Sequence, residues 1–158
     1  MIPESLRDNP VASALDDIAV TARFEFNELT VEVAPANIVE ALGRVKRQLN
    51  FERLSTVTAV DRYPAEPRFE IVYHLQSIAG KQRLRLKARL NSNGPSGENA
   101  EIESAFAVYR SANWYEREVF DLFGVRFLNH PDLTRIMLPA DWVGHPLRKD
   151  VPVTGTRY

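Results

Sequence analysis

The sequence predicts an α+β fold: a mostly antiparallel sheet with helices packed on one face, plus a long irregular C-terminal extension. Three observations carry this. Apolar residues follow a helical spacing around 38–49, then change to a period of two from Leu54 onward. Beyond Gly124, about 34 residues follow, interrupted by Pro131, Pro139, Pro146 and Pro152. Segments this long without regular structure are uncommon in a compact domain unless they bind something.

Each element has its own signal. Asn9-Pro10 reads as a helix start, with asparagine as cap and proline in the first turn. Val11, Leu15 and Ile18 give it a short apolar stripe. Leu29, Val31 and Val33 alternate with Thr30 and Glu32, as in a strand. Pro35 opens the clearest helix, whose apolar face is Ile38, Ala41, Leu42, Val45 and Leu49. Residues 56–62 are rich in β-branched types and end at Tyr63-Pro64. Phe69, Ile71, Tyr73 and Leu75 then alternate with Glu70, Val72, His74 and Gln76, and Leu84, Leu86, Ala88 and Leu90 alternate with Arg83, Arg85, Lys87 and Arg89. The turn Ala79-Gly80-Lys81 joins these runs into a hairpin with a shared apolar face. Residues 91–99 read as a loop and 102–109 as a further strand. No internal repeat is visible.

The chain has 158 residues, the size of one domain, and is long enough to bury a core without staples. It has no cysteine, which excludes disulfides, thiolate metal sites and a cysteine nucleophile. The formal net charge of -1 gives no global pull toward nucleic acid or anionic lipid. No apolar run approaches the roughly 20 residues of a membrane span, and the N-terminus MIPESLRDNP lacks the pattern of a secretory signal. These features point to a soluble protein, cytoplasmic or peripheral on the cytoplasmic side of a membrane. No dinucleotide fingerprint or phosphate loop is present.

Two features hold charge of interest. Arg83, Arg85, Lys87 and Arg89 project from one side of a single strand. They read as a solvated face, as a docking surface for an acidic partner, or as an RNA-binding sheet. The last needs stacking aromatics among the cations, whereas Phe69 and Tyr73 fall with the apolar set. The second feature is a charged helix over 113–123. Asn113 looks like its cap, Glu116 stands three residues on as in a capping box, and Gly124 is a left-handed stop. On a helical wheel, Tyr115, Val119, Phe120, Leu122 and Phe123 form an apolar arc. Arg117, Glu118 and Asp121 lie opposite, with Arg117 and Asp121 spaced to pair. Glu116 falls inside the apolar arc, where a carboxylate must accept hydrogen bonds, pair or be neutralised. It would serve as a cap, as the buried partner of Arg135 or Arg148, or as a general acid or base. No nucleophile or metal cluster accompanies it.

The extension then bends at His130-Pro131 and Gly144-His145-Pro146, with Pro131-Asp132-Leu133 opening a helical turn. Leu133, Ile136, Met137, Leu138 and Trp142 make it too apolar for a solvated linker. It wraps its own domain or orders on a neighbouring subunit. His74, His130 and His145 are scattered, and a metal site using the last two lacks an obvious acidic third ligand.

The run NWYEREVFDLFGVRFLNHPDLTRIM, followed by GHPLRKD, closely resembles the 30 kDa (C-type) subunit family of respiratory complex I, the proton-translocating NADH:quinone oxidoreductase. Related subunits of photosynthetic complexes and membrane-bound hydrogenases look similar. The matching positions are Glu116, Arg117, Glu118, Asp121, Gly124, His130, Pro131, Asp132, Leu133, Arg135, Gly144, His145, Pro146, Leu147, Arg148, Lys149 and Asp150. Thr134 stands where the family often has a basic residue, and Val151 where an aromatic is common. The resemblance implies residues 1–110 as an α+β domain and 111–158 as the family-motif helix with a partner-wrapping extension, one structural unit overall. It implies a structural subunit of the peripheral arm with no active site and no cofactor of its own. FMN and the iron–sulfur clusters that carry electrons from NADH to quinone would sit in other subunits. The expected partners are the large D-type (49 kDa) subunit near the quinone pocket and other peripheral-arm subunits, in a hetero-oligomer that meets the membrane only indirectly. An equivalent subunit of a ferredoxin-dependent or hydrogenase-type membrane complex is the first alternative, and a stand-alone RNA-binding α+β domain the second.

Overall fold

A computed structural model describes residues 3–94 and 99–152. A five-stranded sheet dominates it. The strands are β1 (Ala19–Glu25), β2 (Glu28–Val33), β3 (Arg53–Asp61), β4 (Phe69–Ser77) and β5 (Gln82–Leu90), in the order β1-β2-β5-β4-β3. Only the β2/β5 pair is parallel, so the sheet is mostly antiparallel as expected. Helices α1 (Pro10–Leu15), α2 (Ile38–Leu49) and α3 (Ala112–Phe123) pack along it. Two further strands, β6 (Glu101–Glu103) and β7 (Arg126–Leu128), form a small parallel pair beside α3.

The local reasons are those of the sequence. Asn9 Oδ1 accepts from the amides of Val11 and Ala12 at 2.9 and 3.2 Å and caps α1. Helix α2 buries Ile38, Ala41, Leu42 and Val45, and Asn50 ends it in the left-handed region at φ 55°. Its large apolar side chains each contribute about 1.5–3 kcal/mol by burial. The shared face of β4 and β5 puts Phe69, Ile71, Tyr73 and Leu75 beside Leu90, Ala88, Leu86 and Leu84 in register, and all eight are buried. The β1–β2 turn is less economical. Phe26 and Asn27 occupy it with φ of 52° and 60°, and for a bulky residue such as Phe26 this costs roughly 1–2 kcal/mol.

Two expectations need correction, and two strands add to those expected. The predicted strand over 102–109 is only the three residues of β6, because a 3₁₀ turn over Ala105–Ala107 follows at once. β1 and β7 had no visible pattern. β1 is an edge strand whose side chains are almost all exposed, and β7 has one buried residue, Phe127. Pro131-Asp132-Leu133 opens no helix: Thr134 N–H bonds back to Asp132 O, and the chain runs on without regular structure. Part of the expected loop over 91–99 lies outside the described residues. No described helix is long and apolar enough to cross a membrane.

The basic strand is largely neutralised by its own sheet. Arg85 pairs with Glu28, Lys87 with Glu70 at 2.7 Å, and Arg89 with Glu32 at 3.3 Å. The register places these groups on adjacent strands, β2 and β4 flanking β5. Burial pushes the Glu70 carboxyl up, but Lys87, Arg62 and Arg89 outweigh it and hold it below its ordinary range. Phe69 and Tyr73 are 1% and 0% exposed, so neither can stack on a base.

Candidate functional site

Helix α3 is buried on two sides. At about 100° per residue, Ala112, Glu116 and Val119 share the face toward the sheet, and Asp121 points the opposite way. All four are buried. The second cover is the segment after β7, which returns over α3 and is fixed to it by polar contacts.

Glu116 is 0% exposed. It neither caps α3 nor meets an arginine. The cap lies two residues earlier than expected, at Ser111 with no side-chain cap bond, so Asn113 lies inside the helix. Glu116 instead accepts from Ser104 Oγ at 2.5 Å and from the Ala105 amide at 2.6 Å. It thereby ties the second turn of α3 to the 3₁₀ turn after β6. Burial pushes its carboxyl up to about 7, although both hydrogen bonds pull the other way. Burial and then the charge of Glu116 raise the Tyr73 phenol well above its ordinary value, and no described group hydrogen-bonds its hydroxyl. A general acid or base must reach its substrate, and a group with no exposure does not.

His130 closes this cluster. Its Nδ1 accepts from the Asp132 amide at 3.1 Å, so Nε2 carries the proton and donates to Asn113 O at 3.1 Å. The same Nε2 lies 3.9 Å from Glu116. Burial holds the imidazole below its ordinary value and therefore neutral. With both ring nitrogens engaged, His130 offers no lone pair to a metal. Among the described residues no group of three potential ligands converges.

Asp121 is the centre of the second face. Its Oδ1 pairs with Arg135 at 2.6 Å. Its Oδ2 accepts the amides of Ile136, Met137 and Leu138. Burial raises this carboxyl, but Arg135 and the three amides win and hold it below its ordinary range. The expected pair with Arg117 does not form. Arg117 reaches Thr134 O and Oγ1 at 3.0 and 2.8 Å and Arg135 O at 3.3 Å. His145 Nδ1 donates to Asp121 O at 2.9 Å, and Arg135 also donates to Gly144 O at 3.0 Å.

The segment is fastened again at the end of α3. Arg148 Nε donates to Phe123 O at 2.5 Å, satisfying a carbonyl that the helix leaves free. Gly124 holds φ 74° there, and a Cβ would strike the His145 ring and the Arg148 guanidinium. Leu147 N–H reaches Leu122 O at 3.1 Å. The last anchor is at the sheet. Lys149 N–H donates to Asp61 Oδ2 at 2.8 Å, and Asp150 pairs with Arg68 at 2.9 Å. Arg68 in turn makes two bonds to Asp61, at 2.9 and 2.8 Å. Ser104, Asp61 and Arg68 had no signal of their own in the sequence, since each meets its partner only through the fold. Glu118 and Asp132 have exposed side chains with no fastening role, Pro131 and Pro146 lie at exposed bends, and Leu133 packs partly against the core.

The result is a backbone pinned by charge, with Leu133, Ile136 and Leu138 half-buried along it and four large apolar side chains turned outward. Met137, Trp142, Val143 and Leu147 are 61%, 46%, 71% and 51% exposed, and Trp114 on α3 is 64% exposed.

Comparison with known proteins places the chain in a family. Residues 31–157 match the family model described as the 30 kDa subunit of respiratory-chain NADH dehydrogenase. The C-type subunit of NADH-quinone oxidoreductase from Geobacter sulfurreducens is 46% identical over 151 residues, covering 95% of this chain and 87% of the relative. Its counterpart from Citrifermentans bemidjiense is 48% identical over 128 residues, covering 81% and 76%. A chain in the structure of the membrane-bound sulfane sulfur reductase, an archaeal respiratory membrane complex, superposes with a TM-score of 0.68 at 27% identity, covering 90% of this chain and 84% of that one. With the family model spanning α2, β3 to β7, α3 and the pinned segment, this chain belongs to the 30 kDa subunit family of the respiratory-chain NADH dehydrogenase.

Proposed function

We propose that this chain is a non-redox structural subunit of the peripheral arm of a proton-translocating NADH:quinone oxidoreductase, bracing the large D-type (49 kDa) subunit at the quinone site. The observation that carries the reading is the set of exposed apolar residues Trp114, Met137, Trp142, Val143 and Leu147 on α3 and on a backbone fastened by Asp121, Arg148 and Asp61. Tryptophan and methionine exposed on a fixed scaffold favour tight association, because little conformational entropy remains to be lost. Electron carriers would reside in neighbouring subunits, and attachment to the cytoplasmic side of the membrane would pass through them.

Affinity purification of the assembly through a tag on this chain tests the reading. The expected preparation contains the D-type subunit, FMN and iron, and oxidises NADH with a quinone acceptor. A tagged chain recovered alone, or in an assembly without the D-type subunit, overturns it. The likeness to the sulfane sulfur reductase chain favours a second reading, an equivalent subunit in a ferredoxin-dependent or hydrogenase-type complex. Reduction by ferredoxin but not by NADH selects that reading.

A further inference from the structure

A second surface lies at the other end of the sheet from the Asp61–Arg68 anchor. β4 runs away from that anchor, and the parallel pairing of β2 with β5, starting at Leu29 opposite Leu84, sets the tips of two hairpins side by side. Between the β1–β2 turn and the β4–β5 turn is a groove of about 620 Å³, with Phe24, Phe26, Phe51, Val11, Lys81 and Arg83 in its wall.

Two independent features of this groove have no use inside the molecule. Phe26 stands in the left-handed region at φ 52° and is 101% exposed. Glycine, asparagine or aspartate ordinarily fills such a turn position. A phenylalanine there carries the backbone strain of the turn and the exposure of a whole aromatic ring. No packing contact offsets either. Strain without an internal cause is a reason to look for an external one. Phe24, at the end of β1, adds a second half-exposed ring.

The second feature is charge. On the same strand Arg85, Lys87 and Arg89 each meet a carboxylate of β2 or β4. Lys81 and Arg83, the two cations that line the groove, meet none among the described residues. The pairing pattern of the sheet therefore stops where the groove begins.

We propose that this groove receives an acidic, extended segment of a neighbouring protein chain, its carboxylates meeting Lys81 and Arg83 and one apolar side chain lying against Phe24 and Phe26. A nucleic acid is the poorer occupant, because Lys81 and Arg83 are the two cations of the groove wall, few against the run of phosphates a nucleic acid presents. The surface is separate from the α3 face used in the proposed function, so the two stand or fall apart.

The experiment places the photoreactive residue benzoylphenylalanine at position 26, and in a second preparation at position 137, in the full chain within its native membrane-derived assembly. Irradiation is followed by sequencing of the cross-linked peptides. From position 26 the expected product joins an acidic peptide of another subunit, and its yield falls about tenfold in the K81E/R83E variant. Cross-linking from position 137 is unchanged by that variant. Phe26→Asn lowers recovery of the same partner peptide by an added probe at Phe24, and leaves the melting temperature of the isolated chain unchanged or raised. The proposal fails if position 26 joins only its own chain, a lipid, a nucleic acid or a peptide without acidic residues. It fails equally if position 26 stays unreacted while position 137 reacts, if charge reversal has no effect, or if Phe26→Asn lowers the melting temperature.

Discussion

Asp121 Oδ1 lies 2.6 Å from Arg135 Nη1, while its second oxygen gathers three successive backbone amides, from Ile136, Met137 and Leu138, at 3.0, 2.7 and 2.9 Å. One carboxylate thus fixes both a cation and the backbone on which the exposed Met137 sits. Asp121→Ala leaves Arg135 and the three amides without their acceptor. Removing one member of a buried pair is expected to cost about 3 kcal/mol. Denaturant unfolding measures the loss, and hydrogen exchange at the amides of 136–138 should rise with it. Unchanged exchange there would show that the segment is held by something else. The pH dependence has a definite sign. The Asp121 pKa is lowered in the folded state, so its stabilisation is present above the ordinary range and is lost as pH falls through the folded value.

Glu116 has the opposite sign. Burial raises its folded pKa to about 7 from the 4.5 of a free side chain. The folded state therefore holds a proton that the unfolded chain releases. Stability is highest below pH 4.5 as far as this group is concerned, and declines until pH 7, by on the order of 3 kcal/mol. His130, 3.9 Å away, acts against it below its ordinary pKa, because its folded form resists protonation. Ser104 and the phenol of Tyr73 are the other groups facing the carboxyl. Glu116→Gln presents the same shape as the protonated acid. Its melting temperature should equal or exceed that of the unmodified chain at pH 8, and the difference should shrink toward pH 5. Parallel melting curves for the two chains across that range would rule the assignment out.

How much of this was legible depends on whether a residue's environment is local. The α2 face and the β4–β5 hairpin are set by neighbours a few residues away, so their periodicity announced them. β1 was silent because its side chains are exposed at an edge and only Ala22 is buried. Glu116 was correctly suspect for lying on an apolar arc. Its partners, Ser104 and the Ala105 amide, come from a turn eleven or twelve positions earlier and leave no pattern on the helix. Asp121 was misread for a physical reason. A wheel assumes one buried face, whereas α3 is enclosed by the sheet on one side and by the returning segment on the other.

Gly124 is the hinge on which that return depends. Its φ of 74° costs an L-residue about 1–2 kcal/mol. A Cβ there also displaces His145 and Arg148, and with them the bonds to Asp121 O and Phe123 O. Gly124→Ala is expected to lower stability by about 3 kcal/mol in total, at the upper end of ordinary substitutions. Calorimetry of the isolated chain checks this. A loss below about 1 kcal/mol would mean that the segment repositions at little cost.

The exposed side chains should separate stability from assembly. Met137 is 61% exposed, so truncating it to alanine removes little burial in the isolated chain, whereas Trp142, 46% exposed, also loses the half of its ring that the chain covers. Surface substitutions of this kind change stability by no more than about 0.5 kcal/mol. If this set is the contact with the D-type subunit, the same changes act as losses at the centre of an interface, where a tryptophan is worth about 2 kcal/mol or more, some 30-fold in affinity. The measurement pairs thermal melting of the isolated chain with the amount of D-type subunit retained on a tagged variant. Met137→Ala should leave the first unchanged and reduce the second. Trp114 gives an internal comparison, because its ring lies 5.1 Å beneath Arg117, and Arg117 also holds Thr134. Its truncation should weaken the partner and loosen the segment together. A Met137→Ala chain that melts lower yet assembles normally would assign that side chain to the fold instead of the interface.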